Sequence, residues 1–182
     1  MRALVLSDTH GLVQPAIEVY KRTLQEGAVD RIIHLGDLIS DARALQVRLG
    51  VEVSAVKGNM DGSYSAEDCS VLETEYGRIL LTHGHMENVK FGLTNLIYRA
   101  EELGCRAALF GHTHAPCFQY VGGIYLLNPG SLTRPRGGGD GSYAVLTLSA
   151  EELSASILFY HAGVPKVRTG VLRDMLNNSD RF

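Results

Sequence analysis

Short apolar runs recur along this chain, and the residues that punctuate them set its architecture. Residues 2–7 form a compact apolar stretch that predicts a buried strand. Gln14-Pro15 then opens a helix, with Pro15 at the first position, where a missing N–H costs nothing. That helix runs to Glu26 and stops at Gly27. Residues 31–35 predict a second strand. Asp41 reads as the N-cap of a helix that ends at Leu49 and is closed by Gly50, and residues 51–56 predict a third strand. Strand, helix, strand, helix, strand describes a parallel sheet with right-handed crossovers.

Beyond residue 60 the pattern changes. Residues 69–75 and 78–81 flank Tyr76-Gly77 and read as a hairpin. Asn88 predicts the cap of a long amphipathic helix through Leu103, with Val89, Leu93, Leu96, Ile97, Ala100 and Leu103 at helical spacing and Gly104 after them. Residues 106–110 predict a further strand. Short strands near 118–121, 124–127, 143–148 and 156–160, with turn residues between them, predict antiparallel pairing. No internal repeat and no interdomain linker interrupts the pattern, so residues 1–182 read as a single domain. Arg136-Gly-Gly-Gly-Asp-Gly neither follows a strand nor opens a helix, and reads as a connecting loop rather than a phosphate cradle. The tail after His161 is polar and weakly periodic, fitting an arm or a short helix.

Composition narrows the class. A chain of 182 residues with 45% hydrophobic content can bury a substantial core without covalent staples. The net charge of −3 gives no electrostatic footprint for a nucleic-acid polymer or an anionic membrane. Cys69, Cys105 and Cys117 are scattered with no C-x-x-C spacing, which predicts reduced thiols rather than a disulfide framework or thiolate zinc site. The first apolar run is too short for a signal peptide, and no run approaches the ~18 apolar residues of a membrane span. A soluble, cytoplasmic protein is expected.

The candidate chemistry sits just past the apolar runs. Asp8 and His10 follow residues 3–6, and Asp37 follows residues 32–36. Asn59 follows residues 53–58, His83 follows 79–82, and His112 with His114 follows 107–111. Each cluster alone is weak: Gly58-Asn59 is an everyday turn dipeptide, and a lone His83 fits a satisfied core histidine. Gly111-His112-Thr113-His114 is stronger, because alternate residues of an extended segment face one side. Together they place hard and borderline ligands where an open α/β sheet binds its ligands, beyond the carboxyl ends of strands. A two-metal hydrolase needs such a set.

The order Asp8-x-His10, Gly36-Asp37, Gly58-Asn59, His83 and Gly111-His112-x-His114 resembles the calcineurin-like metallophosphoesterase superfamily. Ser7-Asp8-Thr9-His10-Gly11, Leu81-Thr82-His83-Gly84-His85, Gly111-His112-Thr113-His114-Ala115-Pro116 and Asn128-Pro129-Gly130-Ser131 are similar to the small YfcE-type prokaryotic phosphodiesterases. The resemblance spans residues 2 to about 160. It implies an α/β fold, a four-layer αββα sandwich of two mixed β-sheets flanked by helices. It implies that Asp8, His10 and His114 hold one divalent metal, that Asn59, His83 and His112 hold another, and that Asp37 bridges both. Asp37 and Asn59 then serve catalysis through the metals, Asn59 by offering a neutral oxygen that preserves Lewis acidity. The implied reaction is phosphodiester hydrolysis by attack of a metal-bound hydroxide on phosphorus, with Mn2+ favoured over Ni2+, Fe2+ or Zn2+, in a homo-oligomer acting on small phosphodiester or nucleotide-like substrates.

Two departures matter. Many members follow the Gly-Asn pair with a histidine that aids leaving-group departure; here the residue is Met60. Residue 40, an acid in many relatives, is Ser40. His85 is the candidate substitute acid, set against a supporting or surface role. Activated diesters should therefore turn over faster than alkyl ones. Arg134 and Arg136 flank Pro135 and read either as substrate-phosphate contacts or as surface charge. His34 and His161 read as structural. The competing readings are a phosphomonoesterase or nucleotide phosphatase of the same fold, and a non-catalytic scaffold like the phosphoesterase-fold subunit of retromer, in which the catalytic set is incomplete.

Overall fold

The computed structural model describes residues 1–62 and 66–161. Ten strands and three helices lie among the described residues, and the predicted fold class is the observed one. Sheet one has the order β10-β9-β1-β2-β3, built from β1 (Arg2–Leu6), β2 (Arg31–His34), β3 (Val53–Ala55), β9 (Gly141–Leu148) and β10 (Leu153–Tyr160). Sheet two has the order β4-β5-β6-β8-β7, built from β4 (Cys69–Thr74), β5 (Gly77–Thr82), β6 (Ala107–Leu109), β7 (Cys117–Val121) and β8 (Ile124–Asn128). Both sheets are mixed. β1, β2 and β3 run parallel, as do β5, β6 and β8, while β9, β10, β4 and β7 pair antiparallel with their neighbours.

The period-2 pattern of the strands sorts the core into layers. In β1, Ala3 and Val5 face sheet two, in a cluster with Ile33, Ile79, Leu81, Leu109, Leu127 and Leu146. Leu4 and Leu6 face the other way, packing with Ile17, Tyr20 and Leu45 of the helices α1 (Gln14–Gln25) and α2 (Ile39–Leu49). On the far side, Leu80, Ala108 and Leu126 pack against Leu96 and Ala100 of α3 (Thr94–Glu102). Strands buried on both faces read as continuous apolar runs, which is why the alternation is invisible in residues 2–7. Each fully buried Leu, Ile or Val contributes roughly 1.5–3 kcal/mol.

Two helix starts differ from the expectation. Asp41 is not an N-cap: α2 begins at Ile39, because the Asp61 carboxylate accepts the Ile39 N–H at 3.0 Å and closes the helix end from outside. Gly50 ends α2 in the left-handed conformation (φ 63°), as expected. The long helix from Asn88 is instead α3, starting at Thr94. Asn88 has φ 55°, which an N-cap does not use, and the chain turns through residues 85–91. The helical spacing still marked the right side chains, since Val89, Leu93, Ile97 and Leu103 all join the α3-side cluster. The residue 137–140 glycine stretch is an exposed turn, and the cysteines are free. The tail after His161 lies outside the described residues.

Candidate metal centre

The parallel strands of both sheets end at one rim. From sheet one, β1 delivers Asp8 and His10, β2 delivers Asp37, and the turn after β3 delivers Asn59. From sheet two, β5 delivers His83, and β6 delivers His112 and His114. All seven expected donors meet there. His10 Nδ1 lies 2.6 Å from Asp37 Oδ2, and His114 Nε2 lies 3.2 Å from Asp8 Oδ1. Asp8, His10 and His114 offer donor atoms within 4.8 Å of one another. On the other side, His83 Nε2 lies 2.9 Å from Asn59 Oδ1 and 3.2 Å from His112 Nδ1.

Such convergence requires the ligand loops to approach closely, within sheet one at Gly58 and between the sheets at Gly111. A Cβ on Gly58 would lie 2.1 Å from the Asp37 nitrogen, and one on Gly111 would lie 1.9 Å from Ser7 Oγ and 2.8 Å from Asp8 Oδ2. The backbone is also bent. Among the described residues, the non-glycine positions with positive φ are Asp8, His10, Asp37, Asn88, His112 and His114. All but Asn88 are donors of the set. A left-handed bend at a non-glycine residue costs roughly 1–2 kcal/mol, so this strain is held by the surrounding contacts.

Those contacts also fix which atom faces inward. His83 Nδ1 donates to the Leu35 carbonyl at 2.7 Å, leaving the Nε2 lone pair toward Asn59 Oδ1. Neither atom of that 2.9 Å pair then carries a hydrogen, and two facing lone pairs are an arrangement that a cation satisfies. His114 Nδ1 likewise donates to the Arg134 carbonyl at 2.7 Å, turning Nε2 to Asp8. Asp8 Oδ2 accepts from Ser7 Oγ (2.6 Å) and from the His112 N–H (3.0 Å), so Oδ1 is the oxygen turned to the histidines. His10 Nε2 is buried with no partner. Carbonyl-oriented imidazoles, carboxylate oxygens, an amide oxygen and an orphaned ring nitrogen fit divalent metal ions.

The electrostatics agree. Burial pushes the Asp8 carboxyl up, but the hydrogen bond from His114 and the neighbouring His83 and Ser7 hold it below the usual carboxylate range. Burial and the Asp8 charge push Asp37 up, with His10 opposing. Two carboxylates this close call for countercharge. Burial and the neighbouring His83 bring His112 down to about 4, so it is neutral at physiological pH, as a ligand must be. Asp8 instead raises His114. Burial takes His34 down to about 4.

The cavity over this set is about 260 Å³. Asp8, His10, Asp37, Asn59, His112 and His114 line it, with Leu38, Met60, Lys90 and Arg134 completing the wall. Arg134 thus faces the cavity, whereas the lining does not include Arg136, an exposed residue whose backbone N–H donates to the His114 carbonyl at 3.0 Å. His85 stands behind the wall, its ring 5.5 Å from His83 and 6.1 Å from His112. Burial and His83 lower its pKa. His34 is wholly buried, and His161 pairs with Asp140.

Sequence reasoning missed Lys90, which lay inside the predicted helix and carries no local motif. It also missed Asp61, which accepts the Gly58 N–H at 2.9 Å as well as the Ile39 N–H, tying the Asn59 turn to α2. The Asn-Pro-Gly-Ser segment, known only through its resemblance, acquires a physical reason. Asn128 Nδ2 donates to the Gly111 carbonyl (2.9 Å) and Ser131 Oγ to the Asp8 carbonyl (2.7 Å), bracing both ligand loops.

A donor set of this kind lining a small cavity defines a metal-dependent hydrolase of phosphoric esters. The chain belongs to the calcineurin-like phosphoesterase superfamily, whose domain profile matches residues 1–151. It is 38% identical over 160 residues to the probable metallophosphoesterase YsnB of Bacillus subtilis, covering 88% of this chain and 90% of that one. It is 30% identical to the phosphodiesterase YfcE of Escherichia coli K12, covering 80% and 87% respectively. Among solved structures, it resembles wild-type Vps29 complexed with zinc from Entamoeba histolytica, with a TM-score of 0.76 and 25% identity over 93% of this chain and 98% of that one. No helix among the described residues is long and apolar enough to cross a membrane.

Proposed function

We propose that the protein is a dinuclear metal-dependent phosphodiesterase acting on small phosphodiester or nucleotide-like substrates. The observation that carries this reading is the convergence of all seven donors from two sheets, with the lone pairs of His83 Nε2 and Asn59 Oδ1 facing at 2.9 Å. Asp8, His10 and His114 would hold one cation, Asn59, His83 and His112 the other, and the Asp37 carboxylate would serve both. Two cations so held would supply Lewis acidity, lowering the pKa of bound water from about 15.7 toward about 7 and neutralising phosphoryl oxygens.

The chain supplies the rest. Leu35 and Arg134 carbonyls orient the imidazoles. Lys90 and Arg134 have no ion-pair partner among the described residues and line the cavity, where they attract and orient an anionic ester. Met60 and Leu38 offer an apolar wall to its organic part. With Met60 rather than histidine after Asn59, the leaving group departs with little protonation, and His85, outside the cavity lining, bears on it only through its neighbours His83 and His112. Mn2+ is the favoured metal, and a homo-oligomer in the cytoplasm the favoured setting.

The test is hydrolysis of bis(p-nitrophenyl) phosphate and p-nitrophenyl phosphate by protein reconstituted with Mn2+. Metal-dependent turnover favouring the diester supports the proposal, and a monoester preference turns it to phosphomonoesterase. The likeness to Vps29 favours a scaffold as the second reading, and bound metal without turnover of either ester would establish that reading instead.

A further inference from the structure

Beneath the Asp8–His10 loop lies a polar group that none of the proposed chemistry uses. Thr9, His34 and Asp41 are 0%, 0% and 5% exposed. Thr9 Oγ1 donates to Asp41 Oδ2 at 2.6 Å, and the Gly11 N–H donates to the same oxygen at 2.8 Å. The carboxylate takes the single hydroxyl hydrogen of Thr9, so His34 Nε2, 2.9 Å from Thr9 Oγ1, must carry a hydrogen and donate it. His34 Nδ1 is left buried without a partner. The chain of donation therefore has one direction, from His34 through Thr9 to Asp41.

Its position is as telling as its bonding. His34 ends β2, and Asp41 lies in the first turn of α2, so both flank the segment that carries Asp37. Thr9 and Gly11 belong to the loop that carries Asp8 (φ 54°) and His10 (φ 49°). The group joins two ligand loops whose donors, His10 Nδ1 and Asp37 Oδ2, stand 2.6 Å apart. Asp41 has no Lys or Arg within ion-pair distance among the described residues. Its burial is compensated by these two donors and by the helix N-terminus. The other face of the loop is held by Thr133 Oγ1, which donates to the Asp8 and Thr9 carbonyls at 3.3 Å each.

We infer that Asp41, acting through Thr9 and Gly11, is a positioning residue that holds Asp8 and His10 in their left-handed bends and so sets the affinity of the site for metal. The inference rests on the metal-site reading above. It is tested by calorimetric titration of Mn2+ into folded apoprotein, alongside the apoprotein Tm. Thr9→Val removes the hydroxyl at constant shape, and Asp41→Ala removes the acceptor. Each weakens Mn2+ binding about 10- to 100-fold, the usual cost of losing an outer support of a ligand. Thr9→Ser and Asp41→Asn, which keep a hydroxyl and an oxygen able to accept both bonds, restore most of that affinity. Ile157→Val, in the sandwich core on β10, lowers the Tm and leaves affinity unchanged, separating positioning from stability. Should Asp41→Ala not fold, Thr9→Val alone carries the comparison. Wild-type binding with Thr9→Val equally tight overturns this inference alone, whereas a wild-type protein that takes up no Mn2+ overturns it together with the metal site.

Discussion

The space between the sheets and the rim where their parallel strands end are built from the same strands on opposite principles. Between the sheets, Ala3, Val5, Ile33, Leu81, Leu109 and Leu146 are all but sealed from solvent and apolar. A few residues further along each strand, the chain enters left-handed conformations at Asp8, His10, Asp37, His112 and His114. The core gains free energy from apolar burial, while the rim expends some of it on backbone strain and clustered charge. Stability and chemistry are thus separable by position: damage to the core should lower Tm and spare the site, and damage to the rim should do the reverse.

The sharpest break in that comparison pairs one change from each region. Asp37→Asn removes the charge proposed to span two cations and should reduce Mn2+-dependent diester hydrolysis to background with little change in apoprotein Tm. Leu146→Ala should cost about 2–5 kcal/mol of stability by creating a cavity, and leave kcat/KM near wild type at temperatures where the protein stays folded. Denaturant unfolding and initial-rate kinetics on both variants check the pair. Loss of activity in Leu146→Ala without unfolding would erase the distinction.

Next in size are the glycines that let the ligand loops meet, Gly58 within sheet one and Gly111 between the sheets. An added Cβ at Gly111 falls 1.9 Å from Ser7 Oγ, and one at Gly58 falls 2.1 Å from the Asp37 backbone. Gly58→Ala has only backbone to displace, so it should weaken metal binding more than Gly111→Ala, where a hydroxyl can rotate. Competition with a metal chelator ranks the two, and equal affinity in both variants and the wild type would show that the close approach is incidental.

Smaller effects belong to the cavity wall. Lys90→Ala and Arg134→Ala should each raise KM for diesters about tenfold, the scale of a charge-assisted hydrogen bond, with kcat less affected. Arg136→Ala, whose side chain does not line the cavity, should change KM least. Steady-state kinetics at low and high salt decide this, and identical KM values for all three would return Lys90 and Arg134 to ordinary surface charge. Smallest of all is His85→Ala, which should slow alkyl diesters more than nitrophenyl diesters. Equal slowing of both across the pH profile would remove His85 from leaving-group departure.

Much of the sandwich was legible because its strands announce themselves as apolar runs and its helices by their closing glycines. α1 and the end of α2 at Gly50 lie within a residue of expectation. The misread helix starts share a cause: a remote partner overrode the local signal. Asp61, 22 residues away from Ile39, supplies the helix end that the local pattern assigns to Asp41, and frees Asp41 to reach Thr9. Asn88 has the composition of a cap but a left-handed backbone, and the turn it makes brings Lys90 to the cavity. The donor set was legible in outline through its order along the chain. Its convergence was not, since Asp8 and His114 meet only when two separately built sheets stack. What local sequence could never show is which atom of each side chain faces inward, because carbonyls such as those of Leu35 and Arg134 decide it.

The central claim is that these seven donors hold a pair of cations. Elemental analysis of protein loaded with Mn2+ and freed of excess metal tests it most directly. The account predicts two ions per chain in the wild type and no more than one after Asp37→Asn. A wild-type chain that retains one ion or none would contradict it.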